Sequence, residues 1–253
     1  MSVLPRTLWL IGASTGIGRE TALQLARAGV TVVASARSAG KLASLAGEAP
    51  PGRIVPLACD AADPESLRAA HAAAKAAAGS IEALLFAAAT WTPETEQAVA
   101  LAPVRHVFEV NFFGCLAAIE AVTPDMMAAG RGRIAVISSV AGFRGLPRAL
   151  AYGSSKAAMT HMAETLRLQL RRHGVIVQVV HPGFVRTPLT DKNDFPMPFL
   201  MEPDQAAARI VAGLQSDRFE ITFPRRFTML LKLLRCLPYA WYFPAVRRAT
   251  GMR

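Results

Sequence analysis

Seven short apolar runs, "TLWLI", "VTVVASA", "RIVPLA", "EALLFAA", "RIAVIS", "VIVQVV" and "FEITF", alternate with longer helical patterns along the chain. Runs of this length suit strands, and their nearly unbroken apolar character suits strands covered on both faces. The alternation therefore predicts an α/β fold with a seven-stranded parallel sheet and helices on both sides. Helical patterns span 17–28, 64–78, 103–129, 152–173 and 203–215, with Pro64 and Pro203 near helix starts, where a missing N–H costs little. No Gly/Ser linker or compositional break divides residues 1–223, and a 52% hydrophobic composition supplies the core of one domain.

Two segments depart from the alternation. Residues 187–202, "TPLTDKNDFPMPFLME", follow the sixth strand with three prolines and an apolar centre. Beyond the carboxyl end of a parallel strand, such an insertion is well placed to cover a ligand. Residues 224–253 form a basic, apolar extension.

The formal charge is +10, and from Arg218 to Arg253 eight Lys/Arg face one acidic residue, which is +7 of that total. The rest is nearly balanced, which argues against a nucleic-acid-binding face. Cys59, Cys115 and Cys236 are widely spaced, as expected of reduced, buried thiols in a cytoplasmic protein. The apolar run at the N-terminus is too short for a signal h-region and reads as the first strand. His161, His173 and His181 lack metal-ligand spacing, so no metal site is expected.

Directly after the first strand comes "GASTGIG", with Gly12, Gly16 and Gly18 around Ser14, Thr15 and Ile17. Glycine permits a tight turn and close approach to a pyrophosphate, and the following helix offers free N–H groups. A bare tight turn is the alternative, but the position between strand and helix favours a doubly wound Rossmann-type nucleotide fold. The second strand ends in "VVASARS", without the carboxylate that ordinarily grips the ribose of NAD. Arg37 and Ser38 can instead pair with the 2'-phosphate of NADP, unless Arg37 is a solvated surface residue.

Tyr152 and Lys156 in "AYGSSKAAM" lie four residues apart, a spacing expected by chance in about one such chain in seventeen. Context makes it informative. Ser139 in "ISSVAG" precedes Tyr152 by 13 residues, Asn111 in "VNFFG" precedes it by 41, and "HPGFVRT" follows. With "GASTGIG" and Asp60, these landmarks stand in the order of the short-chain dehydrogenase/reductase family, which residues 7 to about 223 resemble.

The resemblance implies an NADP(H)-preferring oxidoreductase, with NAD(H) as the alternative cofactor. Tyr152 would exchange a proton with the substrate oxygen, its pKa lowered by Lys156 together with the positive charge of the oxidised nicotinamide, and Lys156 would hold the nicotinamide ribose. Ser139 would hydrogen-bond the substrate carbonyl, and Asn111 would position a water linked to Lys156. Asp60, beside Ala61, would contact adenine, while Pro182, Gly183, Val185 and Thr187 would orient the carboxamide. The long helices at 103–129 and 152–173 would pair across a two-fold axis into a homodimer or homotetramer.

One stretch departs from the family pattern. Ala87-Ala88-Ala89-Thr90 stands where Asn-Asn-Ala-Gly is usual, which removes polar ties near the cofactor. A catalytically weak NADP(H)-binding regulator or scaffold is therefore the alternative to an enzyme. The extension "PRRFTMLLKLLRCLPYAWYFPAVRRATGMR" is interrupted too often to span a bilayer. It either lies peripherally on an anionic membrane surface or packs over a partner subunit or the active site. Together with the 187–202 loop it implies a bulky, apolar carbonyl or alcohol substrate, lipid-derived or acyl-linked. Arg144 and Arg148 either grip an anionic part of such a substrate or face solvent.

Overall fold

A computed structural model describes residues 4–93 and 99–251. Residues 1–3 of the expected domain and 252–253 of the extension lie outside the described residues. The seven apolar runs form β1 (Thr7–Ile11), β2 (Thr31–Ala36), β3 (Ile54–Ala58), β4 (Ala83–Phe86), β5 (Gly132–Ile137), β6 (Val175–Pro182) and β7 (Glu220–Phe223). All pair in parallel, in the order β3-β2-β1-β4-β5-β6-β7.

The pleat explains why the strands carry little polarity. On β1, Leu8 and Leu10 point into one core while Trp9 and Ile11 point into the other. The first core is closed by α1 (Gly16–Arg27), α2 (Ala39–Glu48) and α7 (Pro203–Leu214), through residues such as Leu25, Leu45 and Ile210. The second is closed by α3 (Pro64–Ala78), α5 (Gly114–Ala128) and α6 (Leu150–Leu170), through Leu67, Ile119 and Met159. Both faces are covered, so alternating polarity would bury unpaired polar groups.

The expected single helix at 103–129 is a composite. α4 (Leu101–Phe108) passes through a π-helical turn, Glu109–Phe113, into α5. Such turns insert an extra residue and re-aim side chains; the buried Asn111 lies within this one. The whole segment Leu101–Ala128 is apolar and long enough to cross a membrane by composition, yet Val107, Cys115, Ala118 and Val122 are buried in the domain.

Three helices go beyond the expected set. α2 is capped by Ser38, whose side chain accepts from the Lys41 N–H at 3.4 Å. The extension folds into α8 (Arg225–Arg235) and α9 (Tyr239–Thr250). Phe227 packs with Val140 and Phe143, which follow β5, and burying such a ring contributes roughly 1.5–3 kcal/mol. Tyr242 is also buried, and its hydroxyl donates to the Gly145 carbonyl at 2.6 Å. The thiols divide: Cys59 and Cys115 are buried, whereas Cys236, just past α8, is exposed, contrary to expectation.

Candidate active site

The crevice lies beyond the carboxyl ends of β1 and β4, where the strand order reverses direction. Gly12 turns there with φ +96°, and a Cβ on it would sit 2.6 Å from the Ala87 carbonyl carbon and 2.7 Å from the Ala88 Cα. A Cβ on Gly18 would fall on the Gly12 carbonyl oxygen. These two glycines let the loop fold back onto α1 and the 87–88 segment, and the small Ala87 and Ala88 accommodate the approach. Thr15, the N-cap of α1, forms no side-chain capping bond, leaving the first helical N–H groups to face the cleft.

The cleft has a volume of about 710 Å³, within the range of cofactor sites. Every expected cofactor residue lines it: Gly12, Ser14, Thr15, Gly16, Ile17 and Gly18 at the loop; Arg37 and Ser38 after β2; Asp60 and Ala61 after β3. Pro182, Gly183, Val185 and Thr187 close the other end. A methyl on Gly16 would lie 2.8 Å from the Thr187 Cγ2, so the two ends of the wall meet. This glycine cradle, with an open helix start and a basic rim, fits a nicotinamide dinucleotide.

Sequence reasoning missed Lys41, His106 and Thr190 on the same wall. Lys41 lies four residues after Arg37, a signal that becomes readable once α2 is recognised as starting at Ala39. Thr190 Oγ accepts from the Thr187 N–H at 2.9 Å and lies 3.3 Å from the Thr187 hydroxyl. Asp60 is fixed too, its Oδ1 accepting from the Ala62 N–H at 2.9 Å.

Ser139, Tyr152 and Lys156 line the cleft together. Ser139 follows β5 and caps a 3₁₀ turn, its Oγ accepting from the Ala141 N–H at 3.1 Å. That turn packs on α6, because a Cβ on Gly142 would come within 2.7 Å of the Lys156 main chain. Ser138 Oγ donates to the Lys156 carbonyl at 2.7 Å and lies 2.9 Å from the Thr160 hydroxyl, tying α6 to β5.

Lys156 is buried, with its Nζ donating to the Ile137 carbonyl at 2.7 Å and lying 5.5 Å from the centre of the Tyr152 ring. Burial pulls its ammonium down to about 8, partly opposed by Cys115. Burial pushes the Tyr152 phenol up to about 12, partly opposed by a hydrogen bond with Ser139. Without the positive charge of an oxidised nicotinamide, desolvation is the larger influence on this phenol.

Asn111 does not line the cleft; it stands behind it, fully buried. Its Oδ1 accepts from the Thr90 N–H at 2.8 Å, and its Nδ2 donates to the Thr90 carbonyl at 3.1 Å and to Ser155 Oγ at 3.0 Å. Both amide protons are engaged, so the amide braces the cleft wall at Thr90. Thr90, at the end of the Ala87–Thr90 stretch, is thereby tied from behind.

Arg144 and Arg148 meet neither expectation. The Arg144 guanidinium lies 4.3 Å and 4.0 Å from the ring centres of Tyr239 and Tyr242 and donates to the carbonyls of Arg235 and Leu237 at 2.9 Å and 2.6 Å. Arg148 forms a two-point pair with Asp194 at 2.7 Å and 3.1 Å, tying α6's approach to the 187–202 loop. The extension and the loop thus hold these arginines inside the fold.

A tyrosine–serine–lysine set facing a glycine-lined dinucleotide cleft defines an oxidoreductase site. The family model for short chain dehydrogenases matches residues 6–196. An oxidoreductase of Myxococcus xanthus (strain DK1622), described as uncharacterized, is 35% identical over 245 residues, 96% of this chain and 97% of that one. Retinol dehydrogenase 8 of Bos taurus is 34% identical over 198 residues, 76% of this chain and 63% of that protein. The crystal structure of a short-chain dehydrogenase from Streptomyces avermitilis shares the fold, with a TM-score of 0.81 over 97% of this chain and 95% of that one at 23% identity. The chain belongs to the short-chain dehydrogenase family. It is an oxidoreductase that works on alcohol and carbonyl groups with a nicotinamide cofactor.

Proposed function

We propose that this protein is an NADPH-dependent reductase of bulky, apolar carbonyl compounds, with Tyr152 as the proton donor. The juxtaposition of Ser139, Tyr152 and Lys156 on the glycine-lined cleft carries this reading. Bound nicotinamide supplies the hydride. Tyr152 delivers a proton to the substrate oxygen, and Ser139 hydrogen-bonds that oxygen as charge develops. Lys156 holds the nicotinamide ribose, Asp60 and Ala61 the adenine, and Pro182, Gly183, Val185 and Thr187 the carboxamide.

The Gly12–Gly18 loop, with Ser14, Thr15, Gly16 and Ile17, would receive the pyrophosphate. Arg37 and Lys41 lie on the cleft rim after β2, which supports a 2'-phosphate there and hence NADP(H) over NAD(H). Ser38, engaged as the α2 cap, contributes by setting that helix start.

An apolar substrate is supported by Phe184, Phe195 and Phe199, whose rings join the 187–202 loop to α8. The name of the bovine relative, a retinol dehydrogenase, points to the same chemistry. A homodimer or homotetramer is supported by a shallow hollow on α6 lined by Phe112, Ala157, Met162 and Leu166, with Phe113 and Leu116 exposed. The buried free thiols Cys59 and Cys115 agree with a cytoplasmic setting. Asn111's hold on Thr90 favours the enzyme over the weakly catalytic scaffold.

The test is NADPH oxidation across a panel of aliphatic and aromatic ketones and aldehydes, with Tyr152→Phe as control. Turnover that this change removes supports the reading. Nucleotide binding without turnover across the panel overturns it.

A further inference from the structure

We propose that the outward-facing side chains of α8 and α9 rest in the headgroup region of an anionic lipid bilayer. α8 carries apolar residues on two sides. Phe227 is buried against the domain, while Met229, Leu230 and Leu233 are 53%, 58% and 65% exposed. Positions 229, 230 and 233 share one helical face, the one turned away from the body. On α9, Trp241 and Phe243 are 67% and 55% exposed on either side of the buried Tyr242. A helix needing only its own fold would turn one apolar stripe inward and present polar residues outside.

This face is held in place. Arg144 lies against Tyr239 and Tyr242 and bonds the carbonyls that end α8, Tyr242 bonds Gly145, and Lys232 pairs with Glu220 beneath. On its inner side α8 also meets the 187–202 loop. Phe199 of the 187–202 loop stacks on Phe227 at 5.8 Å, and Phe195 and Phe199 are themselves exposed.

Charge selects the occupant. Arg225, Arg226, Arg235, Arg247 and Arg248 are exposed around these apolar residues, and no Asp or Glu occurs after Glu220. Leucine and tryptophan flanked by arginines without acids match an interface of acyl chains and anionic headgroups. The docking stands on these residues alone. Delivery of an apolar substrate from lipid to the cleft rests on the proposed function.

The experiment is sedimentation of the full chain with phosphatidylcholine vesicles containing or lacking phosphatidylglycerol. Binding to the anionic vesicles is expected, with much weaker binding to neutral ones. Leu230→Glu/Leu233→Glu, and separately Arg225→Glu/Arg226→Glu, should each weaken it about tenfold or more. Brominated lipid should quench Trp241, because Trp9 and Trp91 are buried, and Trp241→Phe should abolish the quenching. No preference for anionic vesicles overturns the proposal. So does a concentration-dependent dimer that the double Leu variant splits, which would make the face a contact between copies. Sedimentation needs no turnover, so loss of reductase activity across the ketone panel would count against the function and leave the docking result standing.

Discussion

Asn111 holds the main chain of Thr90 from both sides, accepting from its N–H at 2.8 Å and donating to its carbonyl at 3.1 Å. The amide acts as a short piece of β-ladder and fixes a segment that, in this chain, has no polar side chains from Ala87 to Ala89. Asn111→Ala should leave these groups unpaired at about 1–3 kcal/mol for each. Urea unfolding should show a lower midpoint with an unchanged slope, and nucleotide affinity should fall as the cleft wall loosens. A variant as stable as the parent would show that Asn111 does not brace this wall.

Tyr152 titrates above a free phenol. Desolvation stabilises the neutral phenol and raises its pKa from 10 to about 12. The unfolded chain therefore loses this proton first as pH rises. Between about pH 10 and 12 the native state binds more protons, so this residue's contribution to stability is full below pH 10 and falls through that interval. Ultraviolet difference titration of the ligand-free protein should lose, in Tyr152→Phe, a step centred near pH 12. Loss of a step near pH 10 would show that burial does not govern this phenol.

Arg37, on the cleft rim, should discriminate the two dinucleotides through the 2'-phosphate. A charge-assisted bond to phosphate is worth about 1.5–3 kcal/mol, roughly 10- to 100-fold in affinity. Arg37→Ala should weaken NADPH binding by that factor and leave NADH binding nearly unchanged. Lys41→Ala should act in the same direction with a smaller effect, since an ammonium lacks the planar fork. Equal losses for both nucleotides in a calorimetric titration would contradict the assignment.

The sheet was legible because each strand is an apolar run bounded by helical pattern, and because the glycine spacing names the turn after β1. Ser139, Tyr152 and Lys156 were legible by their order and separation. What escaped has physical reasons. Gly114 reads as an ordinary helix residue, yet a Cβ there would fall on the Ala61 carbonyl oxygen, a contact between segments 53 residues apart. The π turn carries no composition signal, and it alone puts Asn111 behind Thr90. The sign of the Tyr152 shift depends on burial depth, which spacing does not encode. α8 hid because its leucines face both inward and outward, blurring the single stripe by which surface helices are recognised.

Glu220 gives the attachment of the extension a pH dependence of defined sign. One carboxylate oxygen lies 2.8 Å from His181 Nδ1, and the other pairs with Lys232 of α8. His181 in turn lies 3.0 Å from the Thr160 hydroxyl on α6, so the carboxylate links the extension to the element that carries Tyr152 and Lys156. The hydrogen bond with His181, together with Lys232, pulls Glu220 from 4.5 down to about 2 despite its partial burial. With the folded pKa below the unfolded one, the stabilisation is present in full above about pH 4.5 and is lost as pH falls toward 2. Glu220→Gln removes the charge at every pH. Its destabilisation, from urea unfolding, should therefore be largest at neutral pH and shrink steadily as the parent protein is taken below pH 4.5. Limited proteolysis within residues 225–250 should quicken in the variant at neutral pH, since the Lys232 anchor is weakened there. A destabilisation that stays constant with pH would mean that hydrogen-bond geometry, not charge, holds α8 to β7.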